Sequence, residues 1–337
     1  MLPREYRGVA FAVALFVVVQ IGALALVPEF VESGYQPVDD PENPANSLLY
    51  IAAIIVMTGV MLAAFRYELD WAIRLLIIGV SAWLSWYVFA AVLPPVVAAA
   101  PAIAVAVGLL VHPEWYVIDV AGVLMGAGAA GLFGITFGLL PALILLAVLA
   151  VYDAISVYGT EHMLSLAEGV MDLNIPVVLV VPLTLSYSIL DEPDAESNAD
   201  AESGVDAEPS VDSKPDAESA TADGRTEHAA DDESGGSRDA FFIGLGDAVI
   251  PAVLVASAAT FSPAASLSVP AIGLNLPALL AMVGTVAGLL VLMSWVMKGR
   301  AHAGLPLLNG GAIGGYLLGS VLAGVPIVEA LGVATFL

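Results

Sequence analysis

Apolar residues fall in nine long blocks along this chain: Val9–Val27, Leu48–Phe65, Trp71–Leu93, Pro95–Val111, Val117–Phe133, Thr136–Tyr158, Phe241–Phe261, Ala271–Met297 and Leu305–Gly324. Short polar turns separate most of them, and one long acidic stretch divides the sixth from the seventh. About 20 apolar residues in a helix cross the roughly 30 Å of a bilayer's hydrocarbon core. The pattern therefore predicts an all-α polytopic membrane protein with nine transmembrane helices. Arg4 and Arg7 before the first block, with Ala23-Leu24-Ala25 inside it, resemble a cleavable signal. Its apolar core is too long for that, and a retained helix is expected.

Residues outside the blocks predict a few further elements. Met163, Leu164 and Ala167, in the stretch 159–168, have the spacing of an amphipathic helix lying on the membrane surface. Val177–Val181, β-branched and closed by Pro182, reads as an extended strand. A free edge there could pair with an extended peptide; a buried apolar tether is the plainer alternative. Val325–Leu337 is apolar enough to cap the ninth helix. Four regions follow: a six-helix part at 1–158, a connector at 159–190, an acidic disordered linker at 191–239, and a three-helix part at 240–337.

Composition sharpens this picture by exclusion. Charged residues make up 12% of the chain and mean hydropathy is +0.92, whereas a soluble chain carries about twice that charge. Cysteine is absent, which removes disulfides, thiolate catalysis and thiolate metal sites. The four histidines, His112, His162, His228 and His302, have no zinc-site spacing, and neither a G-x-S-x-G elbow nor a Walker A loop occurs. No cofactor, metal or nucleic-acid partner is expected.

Charge also orients the chain. Of a net −24, residues 191–239 contribute 17 acids against Lys214, Arg225 and Arg238; such a stretch stays solvated. Acidity with only two lysines would suit a salt-rich cytoplasm, as in a halophilic archaeon. With nine spans counted, all nine basic residues (Arg4, Arg7, Arg66, Arg74, Lys214, Arg225, Arg238, Lys298 and Arg300) lie on one side. The positive-inside rule then puts the N-terminus and linker in the cytoplasm and the C-terminus outside.

Few carboxylates interrupt the apolar blocks. Asp119, near the start of the fifth, reads as a cap or helix-dipole partner, and Glu329 lies in the tail. Asp153 and Asp247 remain, one on each of two successive antiparallel helices. Each stands eight residues from a charged residue at the cytoplasmic end, Glu161 or Asp239, or on the order of 12 Å along a helix. A carboxylate in hydrocarbon costs at least a few kcal/mol and marks a functional site by default. Two of them close together share one proton: the ionised one deprotonates a water, and the protonated one polarises a peptide carbonyl. Gly244 and Gly246 clear space for backbone to approach Asp247. Tyr152 could pack on a substrate or hydrogen-bond beside the pair.

Tyr152-Asp153 on one helix, Gly244-x-Gly246-Asp247 on the next and a long linker between them resemble the GxGD intramembrane aspartyl proteases. Tyr152–Tyr158, Thr160-x-His162-Met163 and Ala167-Glu168 look most like the presenilin branch and its archaeal homologues. The resemblance implies that Asp153 and Asp247 are the catalytic pair. It also implies that Tyr152, Gly244, Leu245, Gly246, Leu305 and Pro306 shape the active centre. Substrates would be transmembrane helices reached within the bilayer, and a homo-oligomer is compatible with it. The family's Pro-Ala-Leu before the last helix is here Ala303-Gly304-Leu305, followed by Pro306. Glycines at 284, 288, 310, 311, 314, 315 and 319 read as close helix packing. The competing reading is a proton- or ion-coupled transporter or channel, which also needs intramembrane carboxylates; an odd helix count and the absence of an inverted repeat stand against it.

Overall fold

A computed structural model describes residues 4–67, 69–159, 178–183, 187–189, 240–269, 272–297 and 303–334. The surface helix expected over 160–168, the acidic linker at 191–239 and five of the nine basic residues lie outside these. Long helices occupy every expected apolar block: α1 (Arg4–Glu32), α2 (Ala45–Arg66), α3 (Asp70–Ala90), α4 (Pro95–Val111), α5 (Trp115–Thr136) and α6 (Leu139–Gly159). After the acidic stretch come α7 (Leu245–Phe261), α8 (Leu276–Val296) and α9 (Gly304–Leu322). Among the described residues, seven of these are long and apolar enough to cross a membrane; α4 and α7 are apolar but shorter.

Helix ends follow local chemistry. Pro95 opens α4, where a missing N–H costs nothing. Asn275 caps α8, accepting from the Ala278 N–H at 2.9 Å, while its Nδ2 donates to the Ala258 carbonyl at 2.7 Å. One side chain thereby ties the start of α8 to the end of α7. The tail folds back as α10 (Ile327–Ala330), and the buried Tyr316 hydroxyl donates to the Ala330 carbonyl at 2.6 Å. At the end of α9 the Val325 N–H, first of the tail, donates to the Ser320 carbonyl at 2.9 Å.

The interior is built on small residues. Buried over most of its length, α5 lies against α1, α3 and α7. Its Gly134 lets Ala256 of α7 come so close that an added Cβ would collide with the Ala256 methyl group. In the α8–α9 pair, Gly284 and Gly288 meet the backbone of Gly311 and Leu307, and Gly315 meets Leu280. Added methyl groups at these positions would overlap main-chain atoms. In lipid, helix association depends on such close approach, because hydrocarbon tails are as apolar as leucine. Gly310 and Gly314 have open space around the missing Cβ and play no such part.

Two short sheets correct the all-α expectation. β1 (Val178–Pro182) pairs antiparallel with β2 (Ala240–Gly244), Val178 opposite Gly244 and Pro182 opposite Ala240. β3 (Ser266–Leu267) and β4 (Leu274–Asn275) form a minor ladder before α8. The extended reading of Val177–Val181 holds over its described part, from Val178 onward. The helix expected over Phe241–Phe261 does not begin until Leu245, because Ala240–Gly244 finds a strand partner in β1. The Gly244 backbone, at φ −57° and ψ 131°, is extended rather than helical. Leu179 and Val181 join the main core while Val180 faces a second cluster with Ile118 and Ala121. β1 is buried on both faces, and this accounts for its unbroken apolar run.

Candidate active site

Asp153 belongs to α6 and is 8% exposed. Its partner lies far along the chain, at the start of α9. The first amides of any helix have no carbonyl to bond within it. Here the Leu305 N–H donates to Asp153 Oδ2 at 3.0 Å, and the Gly304 N–H also bonds this carboxylate. Pro306, next in the first turn, has no N–H to place. Asp153 therefore acts as a side-chain cap for α9, supplied by another helix.

Asp247 is in the first turn of α7, directly after the strand-to-helix joint at Gly244. Its carboxylate stands over the same turn of α9. A methyl group on Gly304 would lie 3.1 Å from Asp247 Oδ2 and 3.4 Å from its Cγ. One on Gly244 would lie 3.5 Å from Oδ2, and one on Gly246 would meet nothing within 4 Å. The two carboxylates thus converge on Gly304–Leu305 and are close enough for the charge of Asp153 to act on Asp247. Reduced to a glycine, the middle position of Ala303-Gly304-Leu305 leaves room for Asp247.

The convergence does not come from the equal depth expected of two helices. Ala240–Gly244 is extended and rises about 3.3 Å per residue rather than 1.5 Å, so the count from Asp239 does not measure Asp247's depth. The joint and α9 bring the pair together.

Other expected residues divide. Leu305 and Pro306 are half-buried in the α9 turn at the site, Leu245 is 6% exposed, and Gly246 is exposed beside Asp247. Tyr152 is 57% exposed on α6, so it is available to a substrate or lipid and is not part of the core. Gly304 was visible in the sequence only as a mismatch in a motif; its contact with Asp247 had no sequence signal. Nor did that of Asn309, which is fully buried in α9 and donates from Nδ2 to the Leu146 carbonyl of α6 at 2.9 Å. Asp119 differs from its expected part as well. It does not cap α5; its Oδ1 accepts from the Val180 N–H of β1 at 2.7 Å. Among the described residues, no group of three or more His, Asp or Glu side chains could hold a metal ion.

A polytopic helical bundle in which two spans and the start of a third hold a carboxyl pair defines a class of membrane protein, and comparison narrows it. The family model for signal-peptide peptidase and presenilin aspartyl protease matches residues 13–325. Two solved structures of a presenilin family intramembrane aspartate protease, in different crystal forms, resemble the fold. The first is 30% identical, with a TM-score of 0.61 over 93% of this chain and 99% of the other. The second is 29% identical, with a TM-score of 0.55 over 92% and 96%. No curated protein matches. This chain belongs to the signal-peptide peptidase and presenilin aspartyl protease family.

Proposed function

We infer that this chain is an intramembrane aspartyl endopeptidase in which Asp153 and Asp247 hydrolyse peptide bonds of transmembrane helices. The observation that carries the assignment is the meeting of these two carboxylates at the first turn of α9, in a chain of this family. Neither the family match nor the solved neighbours favours a transporter.

The pair holds one proton. Its ionised member takes a proton from water as the oxygen adds to the scissile carbonyl, while its protonated member hydrogen-bonds the carbonyl oxygen. The resulting gem-diol collapses when a proton passes to the leaving nitrogen, which breaks the C–N bond. No covalent enzyme intermediate and no cofactor is needed. Asp153, whose carboxylate accepts from the Leu305 and Gly304 amides, is assigned as the base and Asp247 as the proton-bearing partner. Tyr152, Gly246 and Pro306 border the space a substrate would fill.

Nine spans are the reading that fits the bundle, with α4 and α7 included. At 17 residues and about 1.5 Å each, these reach roughly 26 Å, and β2 extends α7 further. The clustering of basic residues supports a cytoplasmic N-terminus and linker and an outside C-terminus. Residues 1–158 and 240–337 then form two membrane parts joined by the connector and linker. Assembly with a second copy is not required by this chemistry, since one chain carries both aspartates.

A helical substrate hides its scissile bond in its own hydrogen bonds, so it must unwind before attack. Exposed Phe242 and Gly244 on β2 offer an extended peptide a surface close to Asp247. The test is cleavage of a single-span substrate by the purified chain in lipid, beside Asp153→Asn and Asp247→Asn. Cutting within the span by the wild type alone supports the assignment, and cutting by either folded variant defeats it. Substrates carrying helix-breaking residues at the cut site should be cleaved faster; equal rates would refute the unwinding step.

A further inference from the structure

Two acidic side chains at the start of α5 take no part in that chemistry, yet both are buried. Asp119 is 4% exposed and Glu114 is 7% exposed. Glu114 occupies the N-cap position without capping its own helix. It reaches the connector instead: the Ser188 hydroxyl donates to its Oε1 at 2.6 Å, and the Ile189 N–H to its Oε2 at 3.2 Å. Asp119, five residues on, accepts the Val180 N–H at 2.7 Å. One helix end therefore holds the connector on both sides of Pro182.

The bond to Val180 has a consequence for the active centre. Val180 stands opposite Phe242 in the β1–β2 ladder. An N–H directed at Asp119 points away from β2, so at this position the outer edge of β1 is occupied by α5 and is not the free edge that the sequence suggested. The strand is pinned between α5 and β2. Its register then fixes Gly244, opposite Val178, and the Gly244 joint fixes the first turn of α7 with Asp247. Asp119 keeps this place although its Oδ2 is buried without a hydrogen bond, an arrangement that costs stability.

We propose that Asp119 is a positioning residue for peptide hydrolysis: through the Val180 N–H it locks β1 against α5, and through the β1–β2 register it sets the position of Asp247 relative to the scissile bond. The proposal rests on the aspartyl protease reading. What is required of Asp119 is an acceptor oxygen rather than a charge, so the near-isosteric amide should serve.

The test uses the full chain in lipid with a single-span substrate, kcat and KM measured separately, and cut bonds identified by mass spectrometry of both products. Asp119→Ala should lower kcat about tenfold or more, since small misplacements of a reacting group are costly. It should also spread cutting to neighbouring bonds and leave KM close to the wild-type value. Asp119→Asn should restore a single cut position and most of kcat. Unchanged cut bonds and kcat in Asp119→Ala would overturn the proposal, as would an Asn variant no better than Ala. Should Asp119→Ala fail to purify folded, Asp119→Leu, near-isosteric and apolar but without an acceptor oxygen, carries the same test. Displaced cuts support the proposal, and unchanged cuts overturn it. Wild-type chain that cuts nothing, or an active Asp153→Asn, would instead defeat the protease reading itself.

Discussion

The two halves of the site are built by different means. On the α6 side, Asp153 is buried and bonded to the first amides of α9, and one turn farther along α9 Asn309 fastens the same two helices together. On the α7 side, Asp247 is half-buried, has glycine at 244 and 246, and is placed by a strand-to-helix joint. One carboxylate is fixed by hydrogen bonds to its own oxygen. The other is fixed by the backbone that carries it and by the absence of side chains around it. A carboxylate bonded by amides suits the base, and one with no hydrogen bond among the described residues suits the member that keeps a proton and meets the substrate.

Replacing either aspartate by asparagine gives the largest effect. Each variant should lose on the order of 10⁴-fold in kcat while keeping its folded elution profile, because both halves are needed for one proton to be shared. A large loss from one and a small loss from the other, in the same cleavage assay, would break the comparison.

Space around Asp247 gives the next. Gly304→Val forces a branched side chain into the carboxylate and should cost about a hundredfold in activity. Gly304→Ala, a 3.1 Å contact that a small shift relieves, should keep activity within about tenfold, as should Gly246→Ala. Steady-state cleavage rates of the three variants decide whether open space is what the α7 side requires.

A smaller effect tests the α6 side. Asn309→Ala removes the bond to Leu146 and should cost about 0.6 to 1.7 kcal/mol of stability, the range for side-chain hydrogen bonds in membrane proteins. Its measurement is unfolding in mixed micelles with rising SDS. No change would mean that α6 and α9 are held by packing alone.

The smallest lies away from both aspartates. Glu42, in the turn between α1 and α2, bonds the Leu139 and Leu140 amides at the start of α6. Burial pushes its carboxyl up from the ordinary glutamate range, the Leu139 bond opposes this, and Asp40 adds to it. The folded state therefore holds its proton to higher pH than the unfolded state does. Stability contributed by this group is present below about pH 4.3, the ordinary value for glutamate, and is lost as pH rises through the folded pKa. Glu42→Gln should flatten that part of a stability-versus-pH curve. An identical slope in the variant would refute the assignment.

Hydropathy by itself determined where the nine long helical blocks lie, with α4 matched at both ends, because apolar runs stand out from the polar turns between them. It also picked out Asp153 and Asp247, since carboxyl groups are costly in apolar segments and therefore conspicuous. Glycine spacing marked 284, 288, 311 and 315 as close-packing positions for a similar reason, since only missing side chains let backbones touch; that α8 and α9 meet each other there was not legible. Tertiary structure decided the rest. Phe241-Phe242-Ile243 is as apolar as a helix would be, and it becomes a strand only because β1 lies beside it, brought there from across the whole acidic stretch. Asp153's bond to Leu305, Gly304's room for Asp247 and Asp119's hold on Val180 each join residues from separate helices or strands. Hydropathy reports how apolar a segment is; which backbone group will need a partner depends on where other segments end, and that is settled only when the bundle assembles.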